Sequence, residues 1–387
     1  MQVSFIPSLE YIDRDQWNAV TGTDYPFTRY EFLQALEASG ATNGDSGWQS
    51  HHLLVHDSSG RQLVAVLPLY LKYHSYGEYV FDWSWADAYR RTGLDYYPKL
   101  LAAIPYTPAT GPRLCIRPGI DEQAVTTRVV TALKKEARDR GASSIHVLFP
   151  ELSLRERLQQ QDLDYRRGVQ YHWFNKGYQH FDDFVADFSS RKRKNLNKER
   201  RKVSEQGLRL QVLSGENIPA ALWQRFYYFY QLTYAKRSGH GGYLNQHFFQ
   251  LIASSMPEHL VLVLAYDDRR DTQPIAGALN FRDSQTLYGR YWGCLAEYDF
   301  LHFETCYYQG IEYCITHQLQ RFDPGAQGEH KIQRGFTPVE TWSNHWIAHP
   351  EFRHAIQDFL QRDNAAMLDY LHRARELLPF KQETLAN

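Results

Sequence analysis

TRYEFLQALEAS (residues 28–39) and LNQHFFQLIASS (residues 244–255) are two stretches of one 387-residue chain with the same pattern. In each stretch the apolar residues recur at the spacing of one helix face, which predicts an amphipathic helix. The matching residues are Phe32, Leu33 and Leu36 in the first stretch and Phe248, Phe249 and Ile252 in the second. This pair of helices is the first sign of an internal repeat.

The segments that come after the two helices are also alike. The first helix precedes the strand-like runs HLLVHD and QLVAVLPLYLK, joined by Ser58 to Gly60; the second precedes LVLVLAYDD and PIAGALNFR, joined by Arg269 to Gln273. A predicted helix and a short strand then complete each copy, at 127–149 and at 303–325. The repeat predicts an α/β fold of two tandem copies, residues 1–175 and 176–387. The alternative is coincidence between common α/β patterns.

Composition limits the class of protein. Apolar residues make up 43% of the chain and aromatic residues 15%, which is ample for buried cores. The sequence shows neither a signal-peptide pattern at its start nor an apolar run of membrane-spanning length. Four cysteines follow no CxxC spacing, so we expect them to be reduced. These features predict a cytoplasmic protein, with peripheral membrane contact left open.

One segment concentrates positive charge in a chain with 43 basic and 44 acidic residues. Between Arg191 and Lys202 there are eight basic residues and one acidic residue, Glu199. An apolar stripe of Phe184, Phe188, Leu196 and Val203 predicts a helix over about 184–206 with one buried side. Like charges repel along a helix, so phosphate-rich partners fit this segment: tRNA, a nucleotide-linked precursor or an anionic membrane. The residues assigned to this contact are Arg191, Lys192, Arg193, Lys194, Lys198 and Arg201. A merely solvated face is the alternative.

The predicted unit is similar to the GNAT acyltransferase lobe, and two such lobes in one chain resemble the FemAB-like family. Four blocks carry the resemblance: LPLYLKYHSYGEYVFDWSWADAY (67–89), YYPKLLAAIPYTPATGPRL (96–114), HFETCYYQGIEYC (302–314) and FDPGAQGEHKIQRGFTP (322–338). They are similar to a bacterial branch of predicted N-acyltransferases, some described as peptidoglycan biosynthesis or recognition proteins. The resemblance implies transfer of an aminoacyl or acyl group to an amine, with aminoacyl-tRNA or acyl-CoA as co-substrate and no tightly bound cofactor.

The stretch after the last predicted strand is the first candidate site. Gly325 and Gly328 lie in a loop, where glycine lets backbone amides approach a ligand closely, and His330, Lys331 and Arg334 come next. A cation beside the oxyanion of acyl transfer is worth about 3 kcal/mol. The family resemblance assigns this role to a lysine near an "FK..F" segment. Here Arg334 or Lys331 would replace that lysine, unless the stretch is a solvated surface turn.

The segment GEYVFDWSWADAY (77–89) is predicted to be a strand of the first lobe that lines a polar pocket. Trp83 and Trp85 would supply flat walls, and Lys72 precedes them at the end of a strand-like run. An acceptor amine must lose a proton before it attacks, so Asp82 is the first candidate for the base and Glu304 the second. Capping and packing are the alternative roles for these residues.

Three further features bear on the chemistry. RRTGLD (90–95) is the nearest match to the pyrophosphate loop of GNAT enzymes, but Asp95 stands at its final glycine position, which weakens acetyl-CoA use without excluding it. No GxSxG nucleophile motif occurs, which favours direct transfer. His345 and His349 have the spacing of two metal ligands, but Pro350 comes directly after and no third ligand is evident, so no metal is predicted. Amphipathic helices over about 351–378, broken near Asp363 and Asn364, are predicted to pack on the second lobe.

The sequence therefore supports three hypotheses. The first is a double-lobed acyltransferase acting on a small-molecule or nucleotide-linked amine, in which Arg334→Ala reduces turnover far more than acceptor binding. The second is a non-catalytic binder of RNA or of another phosphate-bearing ligand. The third is a small-molecule acetyltransferase that uses acetyl-CoA.

Overall fold

The fold comes from a computed structural model of the chain, which describes residues 1–239, 241–269, 273–326 and 328–381. Its contacts divide the chain into two units. The first contains Met1–Val169 and Glu340–Tyr370, and the second contains Gln170–Val339 and the segment from Leu371 onward. Residues 340–370, which we expected in the second lobe, thus cluster with the first.

Most helices and strands of the first unit precede residue 170. Its strands are β1 (Gln2–Ile6), β2 (Trp48–Ser50), β3 (His52–His56), β4 (Leu63–Leu67), β5 (Tyr70–Lys72), β6 (Lys99–Ala102), β7 (Cys115–Ile116) and β8 (Ser144–Leu148), and its helices are α1 (Arg14–Thr21), α2 (Tyr30–Ala38), α3 (Trp83–Arg91), α4 (Glu122–Asp139) and α5 (Leu152–Gln159). The strand β9 (Asp164–Phe174) comes next, and its residues from Gln170 belong to the second unit.

The second unit contains the helices α6 (Phe181–Ala186), α7 (Ser190–Glu205), α8 (Ala220–Ser238), α9 (Gln246–Ser255), α10 (Leu301–Phe303) and α11 (Gln309–Thr316), and the strands β10 (Leu208–Ser214), β11 (Leu260–Asp267), β12 (Pro274–Arg282), β13 (Thr286–Cys294) and β14 (Arg321–Asp323). A π-helical turn, Glu304–Tyr308, joins α10 to α11, and a 3-10 helix spans Glu329–Arg334. The last elements of the chain are β15 (Thr337–Ile347) and α12 (Pro350–Glu376).

The predicted repeat is visible as one arrangement in both units. In each, an antiparallel hairpin comes after the first helix of the repeat: β3 with β4 after α2, and β11 with β12 after α9. A helical crossover then connects two parallel strands, β6 with β8 and β13 with β14. The matched apolar residues of α2 and α9 are buried. Residues 270–272 of the second predicted turn lie outside the described residues.

Two parts of the first copy differ from prediction. QLVAVLPLYLK forms two strands in different sheets, β4 and β5, because Pro68 between them lacks the amide that a continuous ladder needs. The predicted strand GEYVFDWSWADAY is wrong, since residues 83–91 form the helix α3. Its buried residues, Trp85 and Tyr89, lie four apart, which is helical spacing.

The predicted basic helix divides into α6 and α7, and its four apolar residues are buried as expected. The predicted break near Asp363 is wrong, because α12 is continuous. Asp363 accepts a hydrogen bond from Arg166 at 2.8 Å, and Asn364 binds the backbone of Tyr165 and Arg167. These polar residues hold α12 on the first half of β9, and Ile356 and Leu360 pack beside Trp85.

Candidate functional site

The glycine loop of the second unit begins where two parallel strands separate. Three residues of β13, from Thr286 to Tyr288, pair with the three residues of β14, and β14 then ends while β13 continues to Cys294. The chain from Pro324 passes through Gly325 and Gly328, both at positive φ, into the 3-10 helix. Backbone groups and the cations of that helix are thus placed at the end of a parallel strand pair.

The last residue of β14 anchors this loop. The Asp323 carboxylate accepts hydrogen bonds from Arg290 at 2.9 Å and from the Gly325 amide at 2.9 Å, and His172 Nε2 lies 3.7 Å away. Burial raises the pKa of the Asp323 carboxyl, but the charge of Arg290 and the hydrogen bonds from Arg290 and Gly325 oppose burial and hold the pKa well below its usual range. Burial lowers the pKa of His172 to about 4, so this imidazole is neutral. Sequence reasoning missed Arg290 and His172, because neither stands in a motif.

Lys331 is a candidate cation that has no hydrogen bond to a carboxylate among the described residues. Only 2% of the residue is exposed, and Nζ donates to the Gly325 carbonyl oxygen at 2.7 Å. The Pro324 carbonyl oxygen lies 3.5 Å from the same atom. Burial lowers the pKa of Lys331 to about 8, although the nearby charge of Asp323 opposes the shift. The loop therefore presents a buried ammonium group held by backbone oxygens.

Arg334, the first sequence candidate for the oxyanion role, is instead neutralised by an ion pair. Its Nη2 and Nε donate to the Glu199 carboxylate at 2.7 and 3.1 Å, and its Nη1 donates to the His330 carbonyl oxygen. The guanidinium lies 3.3 Å from the centre of the Phe303 ring. Arg334 therefore fastens the 3-10 helix to α7, and the one acidic residue of the basic segment is its partner.

His330 and Glu304 also have defined partners in the second unit. Tyr307 Oη and His330 Nε2 lie 2.9 Å apart, and burial lowers the pKa of His330. The Glu304 carboxylate accepts from Arg200 at 2.9 and 3.1 Å and from Gln309 at 2.8 Å. Glu304 is thus a buried ion-pair partner, and the prediction that it accepts the amine proton is not supported by this geometry.

The basic helix α7 presents one cationic face. Positions 191, 194, 198 and 201 have helical spacing, and their side chains are exposed on the side away from buried Leu196 and Val203. Arg201 forms an ion pair with Glu205 in the next turn. Within the described part of the chain, Arg191, Lys194 and Lys198 have no ion pair. Lys192 and Arg193 are half-buried, and Lys192 donates to Gln333 in the 3-10 helix.

A second cluster of charges lies in the first unit. Lys99 Nζ donates to Ser75 at 2.9 Å, to Glu78 at 2.8 Å and to Asp82 at 2.5 Å. Lys72 Nζ lies 4.0 Å from the other Glu78 oxygen and 4.1 Å from the centre of the Trp48 ring. Burial lowers the pKa of Lys72 to about 7 and raises that of Glu78 to about 7. Of these residues, sequence reasoning singled out only Lys72 and Asp82.

A chain of hydrogen bonds extends from Asp82 into the sheet. Tyr96 Oη donates to Asp82 at 2.7 Å and lies 3.2 Å from His146 Nε2. His146 Nδ1 lies 2.6 Å from His345 Nδ1, and the two residues face each other across β8 and β15. Burial lowers the pKa of His146 to about 3 and that of His345 well below its usual value. Both imidazoles are neutral and belong to the interior of the first unit.

The two tryptophans assigned to the pocket have different environments. Trp83 is 42% exposed and its ring contacts Tyr76 at 5.0 Å between ring centres. Trp85 is buried against His345 and Phe359 inside the first unit, and its contact with a ligand stays a prediction. The difference arises from α3, because residues two apart on a helix point in different directions.

The segment 90–95, the nearest match to a pyrophosphate loop, lies at the C-terminal end of the helix α3. The amides of Gly93 and Leu94 donate to the carbonyl oxygens of Arg90 and Tyr89, closing the C-terminus of α3. Arg90 and Arg91 pair with Asp87. Phosphate binds at helix N-termini, where amides are free, so this loop does not form the expected cradle. Among the described residues no group of His, Cys, Asp and Glu has the arrangement of a metal site.

No described helix combines the length and apolarity needed to cross a bilayer. The FemAB-like family, described as peptidoglycan biosynthesis/recognition, matches residues 8–382. No curated protein matches the sequence. The structure is similar to FemX, with 13% identity, a TM-score of 0.56 and coverage of 92% of this chain and 100% of that one.

Two other solved structures are similar. The C-terminal domain of a putative lysylphosphatidylglycerol synthetase from Agrobacterium fabrum has 11% identity and a TM-score of 0.51, covering 89% of this chain and 95% of its own. A tandem GNAT protein from the clavulanic acid biosynthesis pathway has 10% identity and a TM-score of 0.47, covering 90% and 99%. At such identities similarity shows the fold alone. The predicted mixed α/β fold with two copies of one arrangement is confirmed.

Proposed function

The chain belongs to the FemAB-like family, and we propose on that basis that it transfers an aminoacyl or acyl group directly to an amine. The amine is carried by a cell-wall precursor or a related small molecule, and the donor is an aminoacyl-tRNA or an acyl-CoA. No tightly bound cofactor takes part. The observation that carries the proposal is the buried ammonium group of Lys331 on the glycine loop.

The proposed chemistry uses the charge of Lys331. The neutral amine attacks the carbonyl carbon of the donor, and the new C–N bond forms as negative charge builds on the carbonyl oxygen. Lys331 Nζ is the candidate donor to that oxygen, since carbonyl oxygens already orient it and burial strengthens its field. The intermediate then collapses, the donor's oxygen or sulfur leaves with the electron pair, and the amine nitrogen loses its proton.

Direct attack is favoured over a covalent enzyme intermediate. Cys306 lies in the π-helical turn Glu304–Tyr308, and burial raises the pKa of its thiol well above the usual value. Burial also raises the pKa of Cys115 to about 12. A thiol serves as a nucleophile in its ionised form, so these cysteines are unsuited to that role.

A phosphate-rich donor is favoured by α7. The exposed cations Arg191, Lys194 and Lys198 form one face without ion pairs in the described chain, and the same helix binds Arg334 through Glu199. Contact of this face with tRNA would therefore act on the helix that holds the Lys331 segment. Acyl-CoA is the weaker candidate, because the 90–95 loop uses its amides to close α3.

The experiment is a transfer assay with defined donors. The protein is incubated with a nucleotide-linked peptidoglycan precursor that bears a free amine, and with either tRNA charged with labelled amino acids or labelled acetyl-CoA. We expect label in an acid-stable amide from charged tRNA. Lys331→Met is expected to lower kcat by about 100-fold with little change in the acceptor KM. Lys331→Arg should retain part of the activity, and the exposed variant Lys135→Met should retain all of it.

Two results would overturn parts of this proposal. An unchanged kcat in Lys331→Met would remove the residue from the chemistry. Absence of product with either donor, together with salt-sensitive tRNA binding, would favour the second candidate function, a non-catalytic binder of phosphate-bearing ligands. The unpaired cationic face of α7 is the observation that keeps this second function open.

A further inference from the structure

The charged cluster of the first unit has satisfied donors and unsatisfied acceptors. Each of the three N–H groups of Lys99 has an acceptor, in Ser75, Glu78 and Asp82. Lys72 Nζ donates to the Tyr76 carbonyl oxygen at 3.2 Å and to His74 at 3.4 Å, and its third side faces the Trp48 ring. Both ammonium groups are therefore fully used.

The carboxylates of Glu78 and Asp82, by contrast, are not fully used. Glu78 Oε1 and Asp82 Oδ1 are buried and have no hydrogen-bond partner among the described residues. The side chains are 2% and 5% exposed, and an unpaired acceptor is unfavourable at such burial. Tyr96, through its bond to the other oxygen, and the neutral His146 behind it hold Asp82 in place. Lys72 Nζ lies 4.0 Å from Glu78 Oε1, which is too far for a hydrogen bond, so both oxygens remain acceptors and an anionic ligand would not complete the cluster.

The segment that carries these carboxylates also carries exposed rings. Tyr76 is 56% exposed, Phe81 52% and Trp83 42%, all within eight positions of one another and next to Glu78 and Asp82 in the chain. Tyr76 and Trp83 meet edge to face, which leaves ring surface toward solvent. Exposed aromatic rings beside a polar floor are typical of sites that stack a flat ligand and bind its polar end.

We propose that the first unit binds a primary amine attached to a flat ring, with the ring on Tyr76 and Trp83 and the ammonium group between Glu78 Oε1 and Asp82 Oδ1. The oxygens are enclosed, so the 73–82 segment moves when the ligand enters. The site lies wholly in the first unit and goes beyond the proposed transfer reaction. Its occupancy is measurable without any acyl donor.

The test uses three probes with one ring and different polar ends: benzylamine, benzyl alcohol and benzoate. The full chain is labelled with 5-fluorotryptophan, and the Trp83 resonance is assigned from Trp83→Phe. We expect millimolar benzylamine to shift the Trp83 signal, benzyl alcohol to act at least about tenfold more weakly, and benzoate to have no effect. Asp82→Asn should weaken benzylamine binding by about tenfold or more. Asp87→Asn, at a half-buried carboxylate of α3 that pairs with Arg90 and Arg91, is the control and should bind like wild type.

The comparison of benzylamine, benzyl alcohol and benzoate still tests the proposal if Asp82→Asn does not fold. In that case Tyr76→Ala, at an exposed rim position, should weaken benzylamine binding while the unfolding transition stays near that of wild type. Equal shifts with benzylamine and benzoate would show nonspecific ring stacking and overturn the proposal. No shift with benzylamine at any soluble concentration would overturn it as well, whatever the transfer assay shows.

Discussion

Lys331 and Arg334 lie three residues apart on one short helix, yet the fold treats their charges differently. Arg334 has a carboxylate, Glu199, at 2.7 Å, whereas Lys331 has two backbone oxygens. An ion pair in the interior holds structure together, because breaking it strands a charge. A buried cation without a bonded carboxylate is electrostatically available to a developing anion. The hydrogen-bond partners of each residue, and not its type, therefore make Arg334 a positioning residue and Lys331 the catalytic candidate.

Lys331→Met should change how stability depends on pH. The pKa of Lys331 is about 8 in the folded chain against 10.5 for an ordinary lysine. Between these values the unfolded chain binds more protons, so wild-type stability rises with pH, and the variant lacks this contribution. The wild-type minus variant free energy of unfolding should rise by at most about 3 kcal/mol over this range. Urea titrations at several pH values measure it, with the exposed Lys198→Met as control. A flat difference for Lys331→Met would contradict the assignment.

Two glutamates of α7 provide a matched pair for the ion-pair argument. Glu199 binds Arg334 and accepts from Tyr308 Oη at 2.5 Å, whereas Glu205 pairs with cations at the exposed surface. We expect Glu199→Gln to lower the free energy of unfolding by about 2 kcal/mol and Glu205→Gln by less than about 0.5 kcal/mol. Urea unfolding of both variants decides the matter. Equal losses in the free energy of unfolding would mean that the ion pair between Glu199 and Arg334 adds no stability.

At the scale of elements, α7 connects a charged surface to the candidate site. Its exposed face carries Arg191, Lys194 and Lys198, and its other sides contact Arg334 through Glu199 and Glu304 through Arg200. Glu304 begins a π-helical turn, a feature often found at functional positions. The C-terminal segment supports the start of the same helix, where Ser189 donates to Pro379 and Phe188 packs on Phe380.

Neutralising the face of α7 should weaken RNA binding. The triple variant Arg191→Gln, Lys194→Gln, Lys198→Gln removes three exposed cations. The slope of log K for bulk tRNA binding against the logarithm of the salt concentration should therefore become smaller in magnitude by about two. Filter binding over a range of salt concentrations measures the slope. The control triple Arg128→Gln, Lys135→Gln, Arg138→Gln removes three charges from α4. The same loss in both variants would indicate general electrostatics instead of a defined face.

At the scale of the molecule, each unit contains a parallel strand pair and neutral histidines that are buried or half-buried. His146 and His345 are buried in the first unit, and in the second His172 is buried and His302 is half-buried. Burial lowers the pKa of His302 to about 3, as it lowers those of the other three. Neutral imidazoles fit inside these cores because they need no counter-charge. The cost is that acid favours the unfolded chain, in which histidine can be protonated.

The chain should therefore lose stability as pH falls below 6.5, an effect that Glu78 offsets in part, because its raised pKa lets the folded chain bind one proton more in this range. In this window the unfolded chain binds more protons than the folded chain, so stability is fully present above 6.5 and declines toward the folded pKa values of about 3 to 4. Urea midpoints between neutral pH and about pH 5 give the proton uptake on unfolding. His302→Phe should reduce that uptake by about one proton, and exposed His354→Phe should not. Unchanged uptake in His302→Phe would contradict a buried neutral imidazole.

The repeat and the fold class could be predicted from sequence because they depend on the periodicity of buried residues, which is a local pattern. The family could be predicted because four long blocks of the sequence resemble it. The helix 83–91 was misjudged, since a short aromatic stretch fits both a strand and a helix until its neighbours select the buried face. The continuity of α12 was missed because Asp363 and Asn364 find partners on β9, far away in the chain.

Sequence by itself determined that two α/β units exist, that cations come after a glycine loop, and that one helix is strongly basic. Only the tertiary structure decided that Arg334 forms an ion pair with Glu199, whereas Lys331 donates to a carbonyl oxygen. It also decided that Lys99 binds both Glu78 and Asp82 in one cluster. The physical reason is the distance along the chain over which each kind of interaction acts. Side-chain periodicity is local, whereas the pairing of buried charges depends on contacts between residues from 17 to more than 130 positions apart.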